Sequence, residues 1–354
     1  MVRIGEHLTL PATPLLLAPM EDVSDPPFRA VCKEQGADLM YTEFISSEGL
    51  IRDAAQSLQK LDIFEEERPV GVQIFGENRE HMREATQIVE RVNPNLLDIN
   101  YGCPVYKVVC KGAGAAILKD VDKMESLTRE IVQSTHLPVT VKTRLGWDSR
   151  NIRIVEVALR LQDAGIKALT VHCRTREQGY KGEADWSWIT KIKQHPDIEI
   201  PIFANGDVDS PQRAKAWLEE YNPDGIMIGR AAIGYPWIFR QIRHYLNTGE
   251  VLPGPDMAER VRVCRKHFEA SLAWKGEKVG IYEMRRHYSN YFKGIPNFKP
   301  WRMRLVESQS SAEILEYLHQ IAETDFDLWQ GAPPETNQPE LESIGAEVPD
   351  SCPV

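Results

Sequence analysis

The sequence has little of what marks exported or membrane proteins. Its six cysteines stand at positions 32, 103, 110, 173, 264 and 352, with no C-x-x-C pair and no regular spacing. This pattern excludes a disulfide framework and a cysteine zinc site, and it predicts reduced thiols in the cytoplasm with no bound metal. No apolar run approaches the roughly 18 residues of a membrane-spanning helix. Residues 1–7 also lack the apolar core of a signal peptide, so we expect no membrane association.

Positive charge is missing from the end of the chain. Residues 305–354 contain no Lys or Arg but 11 Asp or Glu. The net charge of the whole chain is −10, which by itself argues against a nucleic-acid ligand. Residues 259–304 reverse this trend, because they hold 12 Lys or Arg against 4 Glu, with aromatic residues interleaved. Such a segment is typical of RNA-binding surfaces, and it is equally compatible with a solvated helical face.

The chain also lacks a G-x-G-x-x-G turn after its first apolar run, which weakens the case for an open doubly wound sheet. Instead, eight short apolar runs alternate with helical patterns of about ten to fifteen residues. The runs predicted as strands are Leu15–Ala18, Asp38–Thr42, Val70–Phe75, Leu96–Asn100, Pro138–Lys142, Ala168–His172, Pro201–Ala204 and Gly225–Ile228. The helical patterns include Arg79–Val92, Lys123–Ser134, Ile152–Ala164 and Pro211–Glu220. This alternation predicts an α/β fold, a (β/α)8 TIM barrel whose strands are buried on both faces.

The character of the sequence changes after the barrel. Gly249–Pro255 has the composition of a linker, and the pattern from about residue 256 to 325 is helical without further strand signals. We predict a catalytic barrel domain over residues 1–246 and a small all-α helical domain over residues 247–328. The acidic segment 329–354 is predicted to be a disordered tail.

Polar or charged residues follow nearly every predicted strand. The carboxyl ends of the strands form the active site of a TIM barrel, so these residues predict a lined pocket. They are Pro19, Met20, Glu43, Gln73, Asn100, Cys103, Lys142, Arg144, His172, Arg174, Asn205, Gly206, Asp207, Gly229 and Arg230.

The last two strand ends, Asn205–Asp207 and Gly229–Arg230, predict a phosphate site. Glycine lets backbone N–H groups approach an anion closely, and Arg230 adds a positive charge. The alternative is a pair of ordinary turn glycines. The phosphate would belong to a substrate or to FMN.

Lys142 in the mouth of a barrel needs an anionic partner or ligand. A reduced flavin is one such partner, and a Schiff-base lysine is the alternative. His172 can face the same pocket or be a buried core histidine. Gln73 and Asn100 each offer a donor and an acceptor, which suits the edge of a flavin or of a uracil, although either can be a structural amide.

Eight motifs, in one order and at one spacing, resemble the tRNA-dihydrouridine synthases. They are Ala18–Met20, Val72–Gly76, Asp98–Pro104, Lys111–Ala115, Val141–Trp147, Val171–Tyr180, Asn205–Asp207 and Ile228–Ala232. Pro236–Arg240 and the following Leu252-Pro253 resemble the bacterial DusB-type branch of that family. The resemblance covers residues 1 to about 322 and so includes the helical segment.

The resemblance implies an enzyme that uses FMN, with NADPH or NADH as reductant, to reduce the C5=C6 bond of a uridine in tRNA. It implies that Cys103 is catalytic and that Asn100 and Arg174 lie near the target uracil. The branch points to the D-loop, with tRNA position 17 as a candidate. The predicted FMN contacts are Pro19, Met20, Gln73, Lys142, His172, Asn205, Gly206, Asp207, Gly229 and Arg230. The helical segment would hold the tRNA, with further candidate contacts Arg176, Arg285, Arg286, Lys299 and Arg302, each of which can also be a solvated charge.

The proposed chemistry needs an acid. A hydride from FMN N5 at C6 leaves negative charge at C5, and a thiol with a pKa of about 8.5 is protonated at neutral pH and can donate to C5. We therefore expect Cys103 to act as the acid, with a nucleophilic role as the alternative. Cys173, Tyr106 and Cys110 depart from the usual family residues in and near this loop.

Two other functions remain open at this stage. One is an FMN-dependent dehydrogenase of the dihydropyrimidine or dihydroorotate type, which acts on a free small molecule. The other is an RNA-binding protein without redox activity. The basic segment favours tRNA over a free pyrimidine, and no protein partner is implied.

Overall fold

The structure is a computed structural model that describes residues 1–324 and 326. The predicted acidic tail, residues 329–354, lies outside the described residues. Within the part that is described, every helix is too short or too polar to cross a bilayer.

The described residues form eleven strands, of which the first two pair as a separate antiparallel hairpin. The other nine are parallel and form the central sheet, in which eight strand positions close into a barrel. The strands are β1 (Val2–Ile4), β2 (Leu8–Leu10), β3 (Leu15–Leu17), β4 (Met40–Tyr41), β5 (Ile45–Ser46), β6 (Val70–Phe75), β7 (Leu96–Tyr101), β8 (Val139–Arg144), β9 (Ala168–His172), β10 (Ile202–Asn205) and β11 (Gly225–Ile228). The order in the barrel is β3-β11-β10-β9-β8-β7-β6-β4, and β5 extends the pairing of β6. The barrel closes where Leu16 bridges Leu39 in parallel. The predicted TIM barrel is confirmed.

Helices follow most strands and cover the outside of the barrel. They are α1 (Pro26–Glu34), α2 (Ser47–Ile51), α3 (Ala55–Gln59), α4 (Arg79–Glu90), α5 (Tyr106–Val109), α6 (Val121–Gln133), α7 (Ile154–Asp163), α8 (Ser187–Lys193), α9 (Pro211–Tyr221) and α10 (Ile238–Thr248). Their starts follow local chemistry: Asn78 caps α4 by accepting from His81 N–H at 3.0 Å. Helix α7 begins two residues later than the pattern predicts, because Ile152 bridges Gly146 instead of entering the helix.

A hairpin of β1 and β2 closes the lower end of the barrel. Its buried side chains Val2, Ile4, Leu8 and Leu10 join one apolar cluster with barrel residues such as Phe203. A Cβ at Gly5 would lie 3.1 Å from Pro138, which immediately precedes β8, so the hairpin covers the amino ends of the strands. The opposite, carboxyl-terminal end carries the polar residues that follow the strands.

Four further helices pack beside the barrel around a second apolar cluster. They are α11 (Met257–Lys275), α12 (Glu277–Tyr291), α13 (Lys299–Glu307) and α14 (Ser311–Glu323). Val31 of α1 and Trp237 belong to the same cluster, so the barrel and this helical region share a packed boundary. Helix α10 ends at Gly249, in the left-handed conformation that favours glycine at a C-terminus. The domain boundary at residue 246 stays a prediction.

Polar contacts also join the helical region to the loop after β3. Lys275 forms ion pairs with Asp25 and with Glu283. Arg286 donates to the Asp22 carbonyl at 2.7 Å, and its guanidinium lies 3.6 Å from the Asp22 carboxylate. Arg286, predicted as a tRNA contact, is therefore also a tie between the two regions.

Candidate active site

The strand register brings the predicted residues to one end of the barrel. Asn100 on β7 pairs with Lys142 on β8, and His172 on β9 pairs with Asn205 on β10. Because neighbouring strands are parallel, these side chains line one mouth. All of them but Lys142, which is half-buried, are buried.

A hydrogen-bonded chain of side chains runs from inside the barrel to the loop that carries Cys103. Asp98 accepts from Gln73 Nε2 at 2.6 Å and from Thr140 Oγ1 at 2.5 Å. The Gln73 carbonyl oxygen in turn accepts from Asn100 Nδ2 at 2.9 Å. Asn100 Oδ1 accepts from the N–H groups of Gly102 and Cys103, both at 2.9 Å. Asn100 thus fixes the turn that carries Cys103.

The inner end of this series of hydrogen bonds is the buried carboxyl group of Asp98. Burial raises the pKa of Asp98 from 3.8 to about 6, although the hydrogen bonds from Gln73 and Thr140 oppose the shift. At neutral pH Asp98 is mainly ionised, and its negative charge favours the protonated form of Lys142 on the adjacent strand.

The thiol of Cys103 lies in an apolar surrounding. It is 7% exposed and belongs to a cluster with Val108 and Ala113, against which Phe44 and Phe75 pack. Burial raises the pKa of Cys103 above its ordinary value, outweighing the nearby cations. Cys103 is therefore a protonated thiol at neutral pH and can serve as a proton donor.

The positive charge of Lys142 has no carboxylate paired directly with it among the described residues. Burial, together with Arg144, lowers the pKa of Lys142 from 10.5 to about 8. It forms no ion pair with any of the described residues. His172 is also buried, and its pKa is held well below the usual value by desolvation and by neighbouring cations, so its imidazole is neutral. An anionic ligand would suit this surrounding.

The loops after β10 and β11 leave backbone donors unused. Within residues 1–324 and 326, the N–H groups of Gly206, Asp207, Gly229 and Arg230 donate no hydrogen bond. Gly206 has a φ of +127°, and a Cβ there would lie 2.8 Å from Ala184 and 3.2 Å from the His172 ring. Free N–H groups beside an arginine form a cradle that suits a phosphate.

Ion pairs and a sulfur contact complete this side of the pocket. Asp207 accepts from Arg174 at 2.6 Å and from Arg230 at 3.1 Å. Arg174 also donates to the Gly182 carbonyl at 2.5 Å, so most of its donors are occupied. Gly229 faces Met20, whose sulfur would lie 3.6 Å from a Cβ at that position, and Pro19 is half-buried next to it.

Sequence reasoning missed two residues of the pocket and undervalued a third. Asp98 sits inside an apolar strand, where only its charge was a signal. Tyr180 is 58% exposed, and its ring centroid lies 5.6 Å from the Arg144 guanidinium and 5.4 Å from that of Arg230. Arg144 was expected only as a strand-end cation. It is buried and ties the loops after β7 and β9 to the end of β8 by donating to the carbonyls of Gly102, Thr175 and Gly179, at 2.8, 3.1 and 2.8 Å.

The predicted tRNA contacts outside the pocket are spread over two regions. Arg176 stacks on Trp147 at the barrel mouth, with 4.5 Å between guanidinium and ring centroid. Arg285 and Arg286 are on α12, where Arg285 donates to the Ser308 carbonyl at 3.3 Å. Lys299 and Arg302 are exposed on α13. Their role in RNA binding stays a prediction.

Comparison with known sequences gives one consistent result. Residues 16–326 match the sequence model of the family described as dihydrouridine synthase (Dus). The chain is 42% identical to tRNA-dihydrouridine synthase B of Pseudomonas putida over 304 residues, which cover 86% of this chain and 89% of that protein. It is 40% identical to the protein of the same name from Xanthomonas axonopodis pv. citri over 301 residues, covering 85% and 90%.

Solved structures with the same fold are much more distant in sequence. Histamine dehydrogenase from Rhizobium sp. 4-9 has a TM-score of 0.54 at 12% identity, over 76% of this chain and 50% of that chain. A 2-naphthoyl-CoA reductase has a TM-score of 0.53 at 12% identity, over 69% and 51%. These likenesses concern the fold alone.

Proposed function

Because the chain belongs to the dihydrouridine synthase family, we propose that it reduces the C5=C6 bond of a uridine in tRNA with FMN as cofactor. The relatives that cover most of the chain carry the name tRNA-dihydrouridine synthase. The observation that supports this function best is a buried, protonated Cys103 fixed by Asn100, at the same barrel end as backbone N–H groups that suit an anion.

The residues of the pocket fit FMN. The free N–H groups of Gly206, Asp207, Gly229 and Arg230, with the Arg230 guanidinium, would hold its phosphate. Lys142, unpaired and half-buried, would face its electron-rich edge. Gln73 is fully buried and already bonds Asp98 and Asn100, so only its second amide hydrogen would be left for the pyrimidine edge. When bound, FMN supplies the hydride that C6 of the uracil receives.

Cys103 completes the reaction by supplying a proton. Hydride addition at C6 leaves an electron pair at C5, conjugated with the C4 carbonyl. The Sγ–H of Cys103 gives its proton to C5, and the S–H electrons remain on sulfur as a thiolate. The cations Arg144 and Lys142 favour that thiolate, and solvent then restores its proton. Asn100 holds the Cys103 turn during this transfer.

The finer points rest on the branch resemblance. We propose NADPH as the reductant that reloads FMN, with NADH as a second candidate, and a D-loop uridine, with position 17 as the candidate, as the target in the cytoplasm. The names of the relatives favour tRNA over a free pyrimidine.

The deciding experiment combines the protein, FMN, NADPH and an unmodified tRNA transcript. Mass spectrometry of the digested RNA should show dihydrouridine, two mass units heavier than uridine, at one D-loop position. A protein that carries FMN and oxidises NADPH but reduces uracil or orotate instead of tRNA would support the small-molecule dehydrogenase and refute this proposal.

A further inference from the structure

Three loops at the barrel mouth place two cations against one tryptophan. Lys119 ends the 3₁₀ turn Gly114–Lys119 after β7, Trp147 follows β8 and Arg176 follows β9. Lys119 Nζ lies 3.9 Å from the centroid of the Trp147 ring, and the Arg176 guanidinium lies 4.5 Å from it. We refer to Lys119, Trp147 and Arg176 as the Trp147 cluster.

Backbone hydrogen bonds hold the Trp147 cluster in place. Arg176 N–H donates to the Gly146 carbonyl at 2.9 Å, and Glu177 N–H donates to the Trp147 carbonyl at 3.0 Å. At the other end of the 3₁₀ turn, Ala115 N–H donates to the Cys103 carbonyl at 3.0 Å. One short turn therefore connects Lys119 with the catalytic cysteine.

The protein does not neutralise these two charges. Among the residues that the structure describes, neither Lys119 nor Arg176 forms an ion pair, and the buried Nε of Arg176 has no hydrogen-bond partner. The neighbouring carboxylate of Asp148 is engaged with Asn151 at 2.8 Å. A buried guanidinium nitrogen without an acceptor is costly, so this arrangement calls for an oxygen-bearing anion.

The surroundings favour a phosphate of an RNA backbone. A cleft of about 260 Å³ adjoins the cluster and is also lined by Leu118, Asn151 and Arg153. Because Lys119 lies against the Trp147 ring, that ring is not free to stack on a base, and the cluster offers charge instead of base recognition. It lies on the β7–β9 side of the mouth, the side whose first loop carries Cys103, whereas the cradle that suits the FMN phosphate lies on the β10–β11 side.

We propose that Lys119 and Arg176, supported by Trp147, bind a backbone phosphate of the tRNA next to the uridine that enters the pocket. This inference rests on the proposed function, because it takes tRNA as the substrate. NADPH carries phosphate groups of the same chemistry, so the experiment must separate the two ligands.

The test compares Lys119→Gln/Arg176→Gln with a matched control, Arg83→Gln. Arg83 is exposed on α4, on the outer wall of the barrel, and forms no ion pair among the described residues. Measurements are the Kd and KM for an unmodified tRNA transcript at several salt concentrations, and the rate of FMN reduction by NADPH.

We expect the double variant to raise the Kd and KM for tRNA about tenfold and to lower the slope of log Kd against log salt by about 1 to 2. The NADPH half-reaction, the FMN content and the melting temperature should stay at wild-type values. The single variant Lys119→Arg, in which Arg176 is kept, should bind tRNA like the wild type. Arg83→Gln should change none of these quantities.

Unchanged tRNA affinity and salt slope in a folded double variant would overturn the inference. A raised KM for NADPH with unchanged tRNA binding would also overturn it and assign the cluster to the reductant. Failure of the proposed function is a separate result: the wild type would make no dihydrouridine, while the binding measurement would still test the phosphate subsite.

Discussion

At the scale of single residues, burial affects the protonation of Cys103 and of Lys142 in opposite directions. Cys103 keeps its proton because apolar neighbours disfavour the thiolate, and Lys142 loses its proton more easily than usual for the same reason. Burial thus favours the neutral form of each group. In the proposed mechanism, Lys142 would bind the anionic cofactor and Cys103 would protonate the carbon at which negative charge develops.

The role of Cys103 can be tested by removing only its thiol. Cys103→Ala should keep bound FMN and its reduction by NADPH, because the predicted FMN contacts lie on other strands. Formation of dihydrouridine should fall by about a hundredfold or more, the usual contribution of a positioned acid. Stopped-flow absorbance and RNA mass spectrometry separate the two half-reactions. Wild-type levels of dihydrouridine in Cys103→Ala would show that the proton comes from another group.

Lys142 predicts a pH dependence of cofactor binding. Its pKa is lowered to about 8, so the ammonium is present below pH 8 and is lost as pH rises through that value. The affinity for FMN should therefore fall above pH 8, by up to about tenfold per pH unit. Fluorescence titration of apoprotein with FMN measures this. Lys142→Met should bind FMN more weakly and show no such fall between pH 7 and 9, and a fall that persists in this variant would point to another group.

At the scale of elements, the loop after β7 depends on one glycine. Gly114 has a φ of +57°, and a Cβ there would lie 2.9 Å from the Cys103 carbonyl oxygen. Gly112 is also left-handed, at +78°, but its Cβ would meet nothing closer than 3.8 Å. The two positions share the backbone strain of about 1 kcal/mol that alanine suffers there, and only Gly114 adds a collision with the turn that carries Cys103.

Alanine at these two glycines should therefore give different results. Gly114→Ala should displace Cys103 and reduce dihydrouridine formation by about a hundredfold, with FMN still bound. Gly112→Ala should lower the melting temperature similarly but keep most of the activity. Equal activities in the two variants would show that contact with Cys103 does not depend on Gly114.

Much of the element pattern could be predicted from the sequence, and the reason is physical. Strands buried on both faces leave continuous apolar runs, and their polar ends mark the mouth, as at Gln73, Asn100 and His172. The hairpin β1–β2 could not be foreseen, because three-residue strands leave no measurable alternation. The contacts of Arg144 with three carbonyl groups also leave no sequence signal, since they depend on where distant loops meet.

At the scale of the whole molecule, a buried ion pair joins the helical region to the barrel. The side chains of Lys275 and Asp25 are 7% and 5% exposed. Asp25 also caps α1 by accepting from Phe28 N–H at 2.8 Å, so this pair links the last turn of α11 to the start of α1. By contrast, Lys266 and Glu34, 57% and 34% exposed, form a solvated pair across the same boundary.

Replacing Lys275 and Lys266 one at a time should show how much the buried pair and the solvated pair each contribute to stability. Lys275→Met leaves a buried carboxylate unpaired and should lower the free energy of unfolding by about 3–5 kcal/mol. Lys266→Met should cost about 0–1 kcal/mol, because water solvates the remaining carboxylate. Urea denaturation followed by circular dichroism measures both. Similar losses in the two variants would mean that burial of the Lys275 pair does not matter to stability.

The hairpin under the barrel affects how the two proposed substrates can approach the site. In the part of the chain that the structure describes, Val2, Ile4, Leu8 and Leu10 pack against the amino-terminal end of the barrel and cover it. If the proposed nicotinamide reductant and tRNA both approach from the opposite, carboxyl-terminal end, they compete for the same face and bind there in turn. A saturating concentration of the reductant should therefore inhibit the binding of tRNA, and a saturating concentration of tRNA should inhibit the binding of the reductant, although the two substrates never react with each other directly.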